Sequence, residues 1–243
     1  MSLLNRIAPL YSGWEETLIW SVLEGHMGYA LADDEETPTS ALVVVGDICF
    51  FAGRPDDAIA AKAGAPELIP QHDGWCAAIE RVWGDKVQRR LRYAIKKEPD
   101  VFRESTLQYY VDSLPDQYEL RLFDEAIYTQ SFADRWSRDF CSNFQDCNDF
   151  LTRGLGVAVL HDGIMVSGAS SYTVYNGGFE IEIDTKPEYR QRGLATVCGA
   201  KLILEALKRG LYPSWDAYDL RSVALAEKLG YHVDHPYTVY SMI

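Results

Sequence analysis

The chain has 243 residues, of which 47% are apolar and 12% aromatic, enough to fill the core of one large domain or two modest ones. Its formal net charge of −13 argues against a protein that neutralises nucleic-acid phosphates and favours cationic ligands, amines among them. Five cysteines without CxxC spacing predict reduced thiols, and the sequence has neither a basic and then apolar leader nor an apolar run of membrane-spanning length. We therefore expect a cytoplasmic protein with no nucleic-acid partner and no membrane partner.

The first predicted elements are a helix and a pair of strands. Apolar residues at helical spacing predict an amphipathic helix over 14–24, and Gly25 follows as a stop. Two short strands are expected over 41–45 and 48–52, because the Gly46-Asp47 pair between them is typical of a tight turn. The chain therefore begins as a mixture of helix and strand.

Two further helices are predicted before the middle of the chain, over 74–83 and 85–97. The second carries six basic side chains, which we interpret as a solvated helix face because the chain as a whole is acidic. Proline residues then indicate a boundary between 100 and 116. We predict a smaller, helix-rich lobe of unknown role over 1–115 and a second domain over 116–243.

The second domain begins with two predicted helices and continues as a meander of strands. The helices are expected over 131–140 and 146–151, and the strands over 155–160, 164–175 and 179–185. Glycine-containing turns separate the strands, and the last strand alternates apolar and acidic residues. This pattern predicts an antiparallel sheet.

The end of the chain is predicted to alternate helices with a short connection. A glycine-bearing loop leads into a helix whose apolar residues recur at helical spacing until Gly210. A short segment over 211–217 connects it to a last helix, Asp219–Leu229, which Gly230 ends.

The loop over residues 186–196, here called the Gly193 loop, has the features of a phosphate site. It follows a strand and precedes a helix, whose first N–H groups lack intrahelical acceptors and face a favourable dipole. Gly193 would let a diphosphate approach the backbone, and three cations against one anion between Lys186 and Arg192 reverse the acidity of the chain locally. On the loop alone, an ordinary strand-to-helix turn explains the pattern equally well.

Two motifs resemble those of the GNAT superfamily of acyltransferases. Arg190-x-x-Gly193-x-Ala195 matches the [Q/R]-x-x-G-x-[G/A] signature, and Asp219 to Tyr231 resembles the second motif, N-x-x-[SA]-x-x-L-[YA]-x-K-L-G-[FY]. The resemblance implies an α/β (α+β) fold, with a mixed, mostly antiparallel sheet flanked by helices, in the C-terminal half. Shorter segments are similar to the subgroup that includes the zwittermicin resistance acetyltransferases, namely Arg92-Tyr93-Ala94, Asn143-Phe144 and Pro213-Ser214-Trp215-Asp216-Ala217.

The resemblance also implies which residues bind acetyl-CoA. The main chain of Ile183 and Thr185 would pair with the pantetheine arm, and Asp219 and Ser222 would flank the arm or the phosphates. The diphosphate would be held by the segment Arg190, Gln191, Arg192, Gly193, Leu194, Ala195 and Thr196.

Acyl transfer to an amine needs a group that takes the proton of the ammonium. Glu180, Glu182 and Asp184 project from one face of the last strand, beside the expected thioester. We predict that Glu182 helps to deprotonate the amine, with Glu180 as the alternative; a solvated sheet face is an equal explanation of the pattern. Phe179 stands at one position where many GNAT enzymes carry a catalytic glutamate.

The sequence also departs from the family at the group that protonates the departing thiolate. Ala226 occupies the position of the tyrosine that often does so, and Tyr218, Tyr231 or a water are the alternatives. His232 and His235 are interpreted as loop residues, so no metal is assigned. We predict an N-acetyltransferase that uses acetyl-CoA to modify a small-molecule amine, and we allow for a homodimer. The alternative is a non-catalytic sensor or interaction protein that binds acyl-CoA.

Overall fold

The computed structural model describes residues 2–243. Its helices are α1 (Leu3–Ile7), α2 (Thr17–Leu23), α3 (Asp57–Ala60), α4 (Asp73–Trp83), α5 (Glu104–Asp112), α6 (Glu125–Ser131), α7 (Cys147–Arg153), α8 (Leu194–Lys208) and α9 (Leu220–Leu229). Its strands are β1 (Tyr29–Ala32), β2 (Ser40–Val45), β3 (Ile48–Gly53), β4 (Glu67–Pro70), β5 (Val87–Ile95), β6 (Tyr118–Leu122), β7 (Gly156–His161), β8 (Ile164–Tyr175), β9 (Gly178–Thr185), β10 (Tyr212–Ser214), β11 (Asp216–Ala217) and β12 (Val233–Met242). Turns of 3-10 helix cover Ala8–Tyr11, Gly84–Lys86, Arg135–Phe140 and Pro187–Tyr189.

The chain forms two compact units. The first consists of the residues up to Arg92 together with Pro236–Ile243, and the second is Tyr93–His235. The chain therefore leaves the first unit inside β5 and returns to it inside β12. The predicted division at residue 115 stays a prediction.

The first unit is built on a sheet with the strand order β1-β2-β3-β4-β12-β5. β1, β2 and β3 are antiparallel, and β4 runs parallel to β3. Trp75 of α4 is fully buried against the sheet, with its ring centroid 5.3 Å from that of Phe51 and its Nε1–H donated to the carbonyl of Gly53. Burial of these large aromatic side chains stabilises the unit.

The second unit contains a sheet with the strand order β10-β9-β8-β7-β6. Its strands are antiparallel except for β10, which runs parallel to β9. Helix α8 packs on one face, where a side chain at Gly199 would collide with Leu229 of α9 and approach Ile183 of β9. On the other face, Phe140 fills the space above Gly168 of β8. The predicted mixed, mostly antiparallel sheet flanked by helices is confirmed.

Most predicted elements are confirmed, but two helices are not. The segment predicted as a helix over 85–97 is the strand β5, so the N-terminal region contains more sheet than predicted. β5 lies beside β12 in the sheet, and a partner that far along the chain leaves no local signal. The segment predicted as a helix over 131–140 contains the end of α6 at Ser131 and a 3-10 helix over Arg135–Phe140. Helix α6 begins earlier than predicted, because Asp124 caps it by accepting from the N–H of Ile127.

Candidate acyl-donor and amine site

The central feature of the second unit is a split between two parallel strands. β10 pairs only with the first three residues of β9, ending where Ser214 lies opposite Glu180. Within residues 2–243, no strand pairs with Ile181–Thr185 on that side, because the chain turns away after Ser214. The second half of β9 therefore has an edge without a partner strand, and the space beside this edge is called the cleft below.

Main-chain groups of β9 point into this cleft. The N–H of Lys186 donates to the carbonyl of Val166 in β8, and the N–H of Ser171, opposite Ile181, donates away from β9 to Leu155. In an antiparallel pair, successive residues direct their N–H and C=O groups to opposite edges. The main chain of Ile181 and Ile183 is therefore directed towards the open edge, where an extended ligand can pair with it.

Thr185 lies on the same edge, but its main chain already has partners. Its N–H donates to Oδ1 of Asp184 at 2.6 Å, and its carbonyl accepts from Nε of Arg190 at 3.0 Å. Arg190 also forms an ion pair with Asp184 at 3.2 Å. Of the two residues predicted to pair with a pantetheine arm, Ile183 is therefore the better candidate, and Asp184 orients the loop.

The backbone conformation of the Gly193 loop leaves the first turn of α8 accessible. Gln191 and Gly193 adopt left-handed conformations with φ of 61° and 80°, and a Cβ at Gly193 would meet no atom within 4 Å. No side chain of the described residues caps α8 by a hydrogen bond. The first N–H groups of this 15-residue helix are thus available to an anion in front of Gly193.

The cations of the Gly193 loop are held by contacts within the second unit. Arg192 donates to the hydroxyl of Tyr118 at 3.2 Å and to the carbonyl of Glu188 at 2.9 Å, and it lies 4.8 Å from the ring centroid of Tyr189. Lys186 forms a long ion pair with Asp134 at 3.7 Å. The sequence did not predict Tyr118, because its contact with the loop spans 74 positions.

The two candidate catalytic carboxylates differ in their surroundings. Glu180 is buried, with 4% of its surface exposed, between Thr173 and Ser214 on the neighbouring strands. Glu182 is half-buried and lies beyond the last residue of β10, on the strand segment that faces the cleft. The position of Glu182 beside the open edge favours it over Glu180, and its role stays a prediction.

The two tyrosines considered as thiolate acids are also distinguished by burial. Tyr231 is 1% exposed, and its hydroxyl donates to the carbonyl of Pro213 at 2.6 Å. Burial, followed by the nearby Tyr212 and the charge of Glu180, raises the pKa of Tyr231 well above its usual value. Tyr218 is 52% exposed and directly precedes Asp219, the N-cap residue of α9, so it is the more accessible candidate.

Asp219 and Ser222 lie at the beginning of α9. Asp219 caps the helix by accepting from the N–H groups of Arg221 and Ser222, and it forms a two-point ion pair with the Arg221 guanidinium. Burial acts to raise the pKa of Asp219, but these hydrogen bonds lower it overall. The Oγ of Ser222 accepts from the indole of Trp215, which is buried.

Two of the segments that resemble the zwittermicin resistance subgroup lie side by side. Strand β11 pairs with the end of β5, where Asp216 is opposite Ala94 and Ala217 is opposite Tyr93. A third, around Asn143, is tied to β8 because its side-chain amide donates to the carbonyl of Tyr172 at 3.0 Å. The structure thus brings residues from distant parts of the sequence into the unit that holds the cleft.

His232 and His235 each contact an acidic side chain, and they do not contact each other. His232 Nδ1 lies 2.8 Å from Glu98, and His235 Nδ1 lies 3.0 Å from Asp234. Among the described residues, no group of three or more His, Cys, Asp or Glu side chains is arranged to hold a metal ion. None of the helices described is long and apolar enough to cross a membrane.

Comparison with known proteins assigns the family. A family model described as GNAT acetyltransferase matches residues 8–240 of the chain. The chain belongs to the GNAT acetyltransferase family. It is therefore an acyltransferase, and the match includes residues of both compact units. The GNAT family generally uses acetyl-CoA.

Individual relatives agree with this family. The chain is 29% identical over 241 residues to an uncharacterized N-acetyltransferase, YdfB, of Bacillus subtilis, covering 92% of this chain and 89% of that protein. A crystal structure of a GCN5-related N-acetyltransferase-like protein from Streptococcus suis is 44% identical, covers 99% of this chain and 98% of its own, and superposes with a TM-score of 0.95. A GCN5-related N-acetyltransferase from Kribbella flavida, 16% identical with a TM-score of 0.52 and covering 84% and 86%, shares the fold.

Proposed function

We propose that this acyltransferase uses acetyl-CoA as its donor and transfers the acetyl group directly to the amine of a small molecule. The observation that carries the proposal is the alignment of two open features in one unit. The strand edge at Ile181–Thr185 has main-chain groups directed into a cleft, and the uncapped first turn of α8 follows directly after it. An extended arm that ends in a diphosphate fits this order of features.

The residues present are compatible with such a donor. The Gly193 loop is cationic in an acidic chain, and Gly193 leaves open space in front of the helix. We assign the diphosphate to Arg190–Thr196 and the main-chain pairing to Ile183, with Thr185 at the end of the strand. Asp219 and Ser222 would flank the arm from the side of α9.

Acyl transfer to an ammonium group requires a base and an acid from this chain. An ammonium acceptor must first give up a proton, and we assign its removal to Glu182 or, failing that, Glu180. The amine nitrogen then forms a bond to the acyl carbon and gives up a second proton to water, while the bond from that carbon to sulfur breaks. The sulfur leaves with the electron pair and takes a proton from Tyr218 or from water.

The charge of the chain favours a cationic acceptor. A net charge of −13 attracts amines that are protonated at neutral pH and repels anionic ones. The resemblance of 213–217 to the zwittermicin resistance acetyltransferases makes amine-bearing antibiotics the first acceptors to test. A reduced, cytoplasmic setting suits this proposal, because acetyl-CoA is an intracellular donor.

The test combines donor binding with turnover. Calorimetry with acetyl-CoA should give saturable binding, and a panel of small amines should include one that accelerates release of the free thiol and gains an acetyl group by mass spectrometry. Absence of acetyl-CoA binding would refute the proposal. Binding without acetylation of any amine, peptide amines included, would instead favour the predicted alternative of an acyl-CoA sensor.

A further inference from the structure

A groove outside the cleft lies between the start of α5 and the end of α9. Its volume is about 420 Å³, which is within the range typical of small-ligand sites. No part of the proposed function uses it. Its walls are formed by Asp100, Val101, Arg103, Thr106, Lys228, Leu229, Gly230 and His232.

The side chains of the groove are mainly cationic and polar. Arg103 and Lys228 are exposed cations, Thr106 adds a hydroxyl, and Asp100 is the carboxylate among the lining residues. The buried Leu229 forms an apolar floor. A positive groove of this kind is unusual on a chain with a net charge of −13 and favours an anionic ligand.

Lys228 connects the groove to the Gly193 loop. Its Nζ donates to Oγ1 of Thr196 at 3.3 Å, and it lies 5.2 Å from the ring centroid of Tyr110. Thr196 belongs to the first turn of α8, the turn assigned to the diphosphate. The groove therefore begins where the proposed diphosphate site ends.

We propose that this groove binds the 3′-phosphate of coenzyme A, with Arg103 as the main contact. The proposal rests on the proposed use of acetyl-CoA. In that molecule a single ribose separates the diphosphate from the 3′-phosphate, so an anion site directly beyond the diphosphate turn matches the order of the ligand's charges. The groove would thus distinguish coenzyme A from nucleotides that lack the 3′-phosphate.

The chemistry of the lining residues suits a phosphate monoester. The planar guanidinium of Arg103 can donate two parallel hydrogen bonds to phosphate oxygens, and the Thr106 hydroxyl can donate a third. Lys228 stands between the two anionic groups and can serve both as a point charge. Leu229 and Val101 offer apolar contact to the sugar.

The test compares two ligands that differ only in this phosphate. Calorimetry on the full chain should show that coenzyme A binds about tenfold or more tightly than 3′-dephospho-coenzyme A. Arg103→Ala should weaken binding of coenzyme A by about tenfold and leave the affinity for the dephospho form unchanged. Arg103→Lys should retain part of the preference, because it keeps the charge but not the two-point geometry.

Arg209→Ala is the matched control, since Arg209 is an exposed arginine at the far end of α8 and should leave both affinities unchanged. Equal affinities of the parent protein for the two ligands would overturn this inference and leave the proposed function intact. The same holds if Arg103→Ala weakens both ligands equally. If the parent protein binds neither ligand, the proposed function itself fails.

Discussion

The two compact units follow the same path through their sheets but use it differently. In each, three antiparallel strands lead through a helix to a fourth strand that runs parallel to the third: β1, β2, β3 and β4 in the first unit, and β7, β8, β9 and β10 in the second. The helix between the third and fourth strands is α3 in one and α8 in the other. The differences between α3 and α8, and between the strands beside them, indicate why only one of these two arrangements forms a ligand site.

The beginnings of the two crossover helices are opposite in character. Helix α3 has 4 residues, and Asp56 caps it by accepting from the N–H of Ile59, with Asp57 in its first turn. Helix α8 has 15 residues, starts at a left-handed glycine and follows a cationic loop. A carboxylate of the chain therefore occupies the N-terminus of α3, whereas the same position in the second unit is left for an external anion.

The strands beside the crossovers differ as well. β4 pairs with Ile48–Phe51, most of β3, so the first unit has no comparable split over the described residues. β10 leaves β9 after three pairs. The residues of β3 are apolar, whereas β9 carries Glu182 in its open segment and Glu180 in the last pair with β10. Over residues 2–243, only the second unit combines an open strand edge, acids and an uncapped helix.

Substitution of the acids of β9 should have the largest effect on the second unit's activity. Glu182→Gln keeps the shape of the side chain but removes the base, so turnover with an acceptor identified from the amine panel should fall by about 100-fold to 10,000-fold at neutral pH. Acetyl-CoA affinity should not change. Steady-state kinetics over pH measure the effect, and Glu180→Gln is the companion variant. Parent rates for both variants would exclude a glutamate base and direct the search to a water relay.

The open space at Gly193 predicts the next largest effect. Gly193→Val should weaken acetyl-CoA binding by about 100-fold or more, because its side chain would occupy the space of the diphosphate. The positive φ of Gly193 also costs about 1–2 kcal/mol of stability with any β-branched residue.

Gly210→Val separates these two effects. Gly210 also has a positive φ, and a Cβ added there would likewise meet no atom within 4 Å, but it lies at the other end of α8. Both variants should lose similar stability in thermal denaturation, and only Gly193→Val should lose binding in calorimetry. Unchanged affinity in a folded Gly193→Val protein would contradict the assignment of the loop.

The first unit should respond in stability and not in binding. Asp56→Ala removes the side-chain cap of α3 and should cost about 1 kcal/mol of the free energy of unfolding. Acetyl-CoA affinity should stay at the parent value, because the binding features belong to the second unit. Chemical denaturation and calorimetry on the same preparation test this, and a clear loss of affinity would show that the first unit takes part in donor binding.

Asp219→Asn should have the smallest effect. Asn can cap α9 in the same way, and the negative charge it removes is already paired with Arg221, so acetyl-CoA affinity should tighten by no more than about twofold at low salt. A marked loss of affinity would mean that the carboxylate has a specific task, such as orienting a cation at the donor site.

The pH dependence of stability gives Asp219 a second test. Its pKa in the folded protein is lowered, because its hydrogen bonds outweigh the burial that acts to raise it. The carboxylate therefore stabilises the fold above its unfolded pKa, and this contribution is lost as the pH falls through the lowered folded pKa. Thermal denaturation should show the parent protein losing slightly more stability than Asp219→Asn over that acidic range.

The meander, the crossover helix and the family motifs of the second unit could all be predicted from the amino-acid sequence. These features are local: period-two alternation defines β9, and Gly193, Gly210 and Gly230 mark the ends of α8 and α9. The charge reversal of the Gly193 loop is likewise visible in a few consecutive residues. Short-range patterns of this kind survive because the elements they describe are stabilised by neighbours in sequence.

Features that depend on partners far away in the chain could not be predicted from the sequence. The residues of 87–95 fit a helix locally but form a strand beside β12, because pairing in the sheet overrides weak local preference. The split at Ser214 and the contact of Lys228 with Thr196 have no sequence signature, because each depends on segments that are far apart in the chain and meet only in the fold. The cleft is therefore a property of where β10 ends, and only the folded sheet determines that.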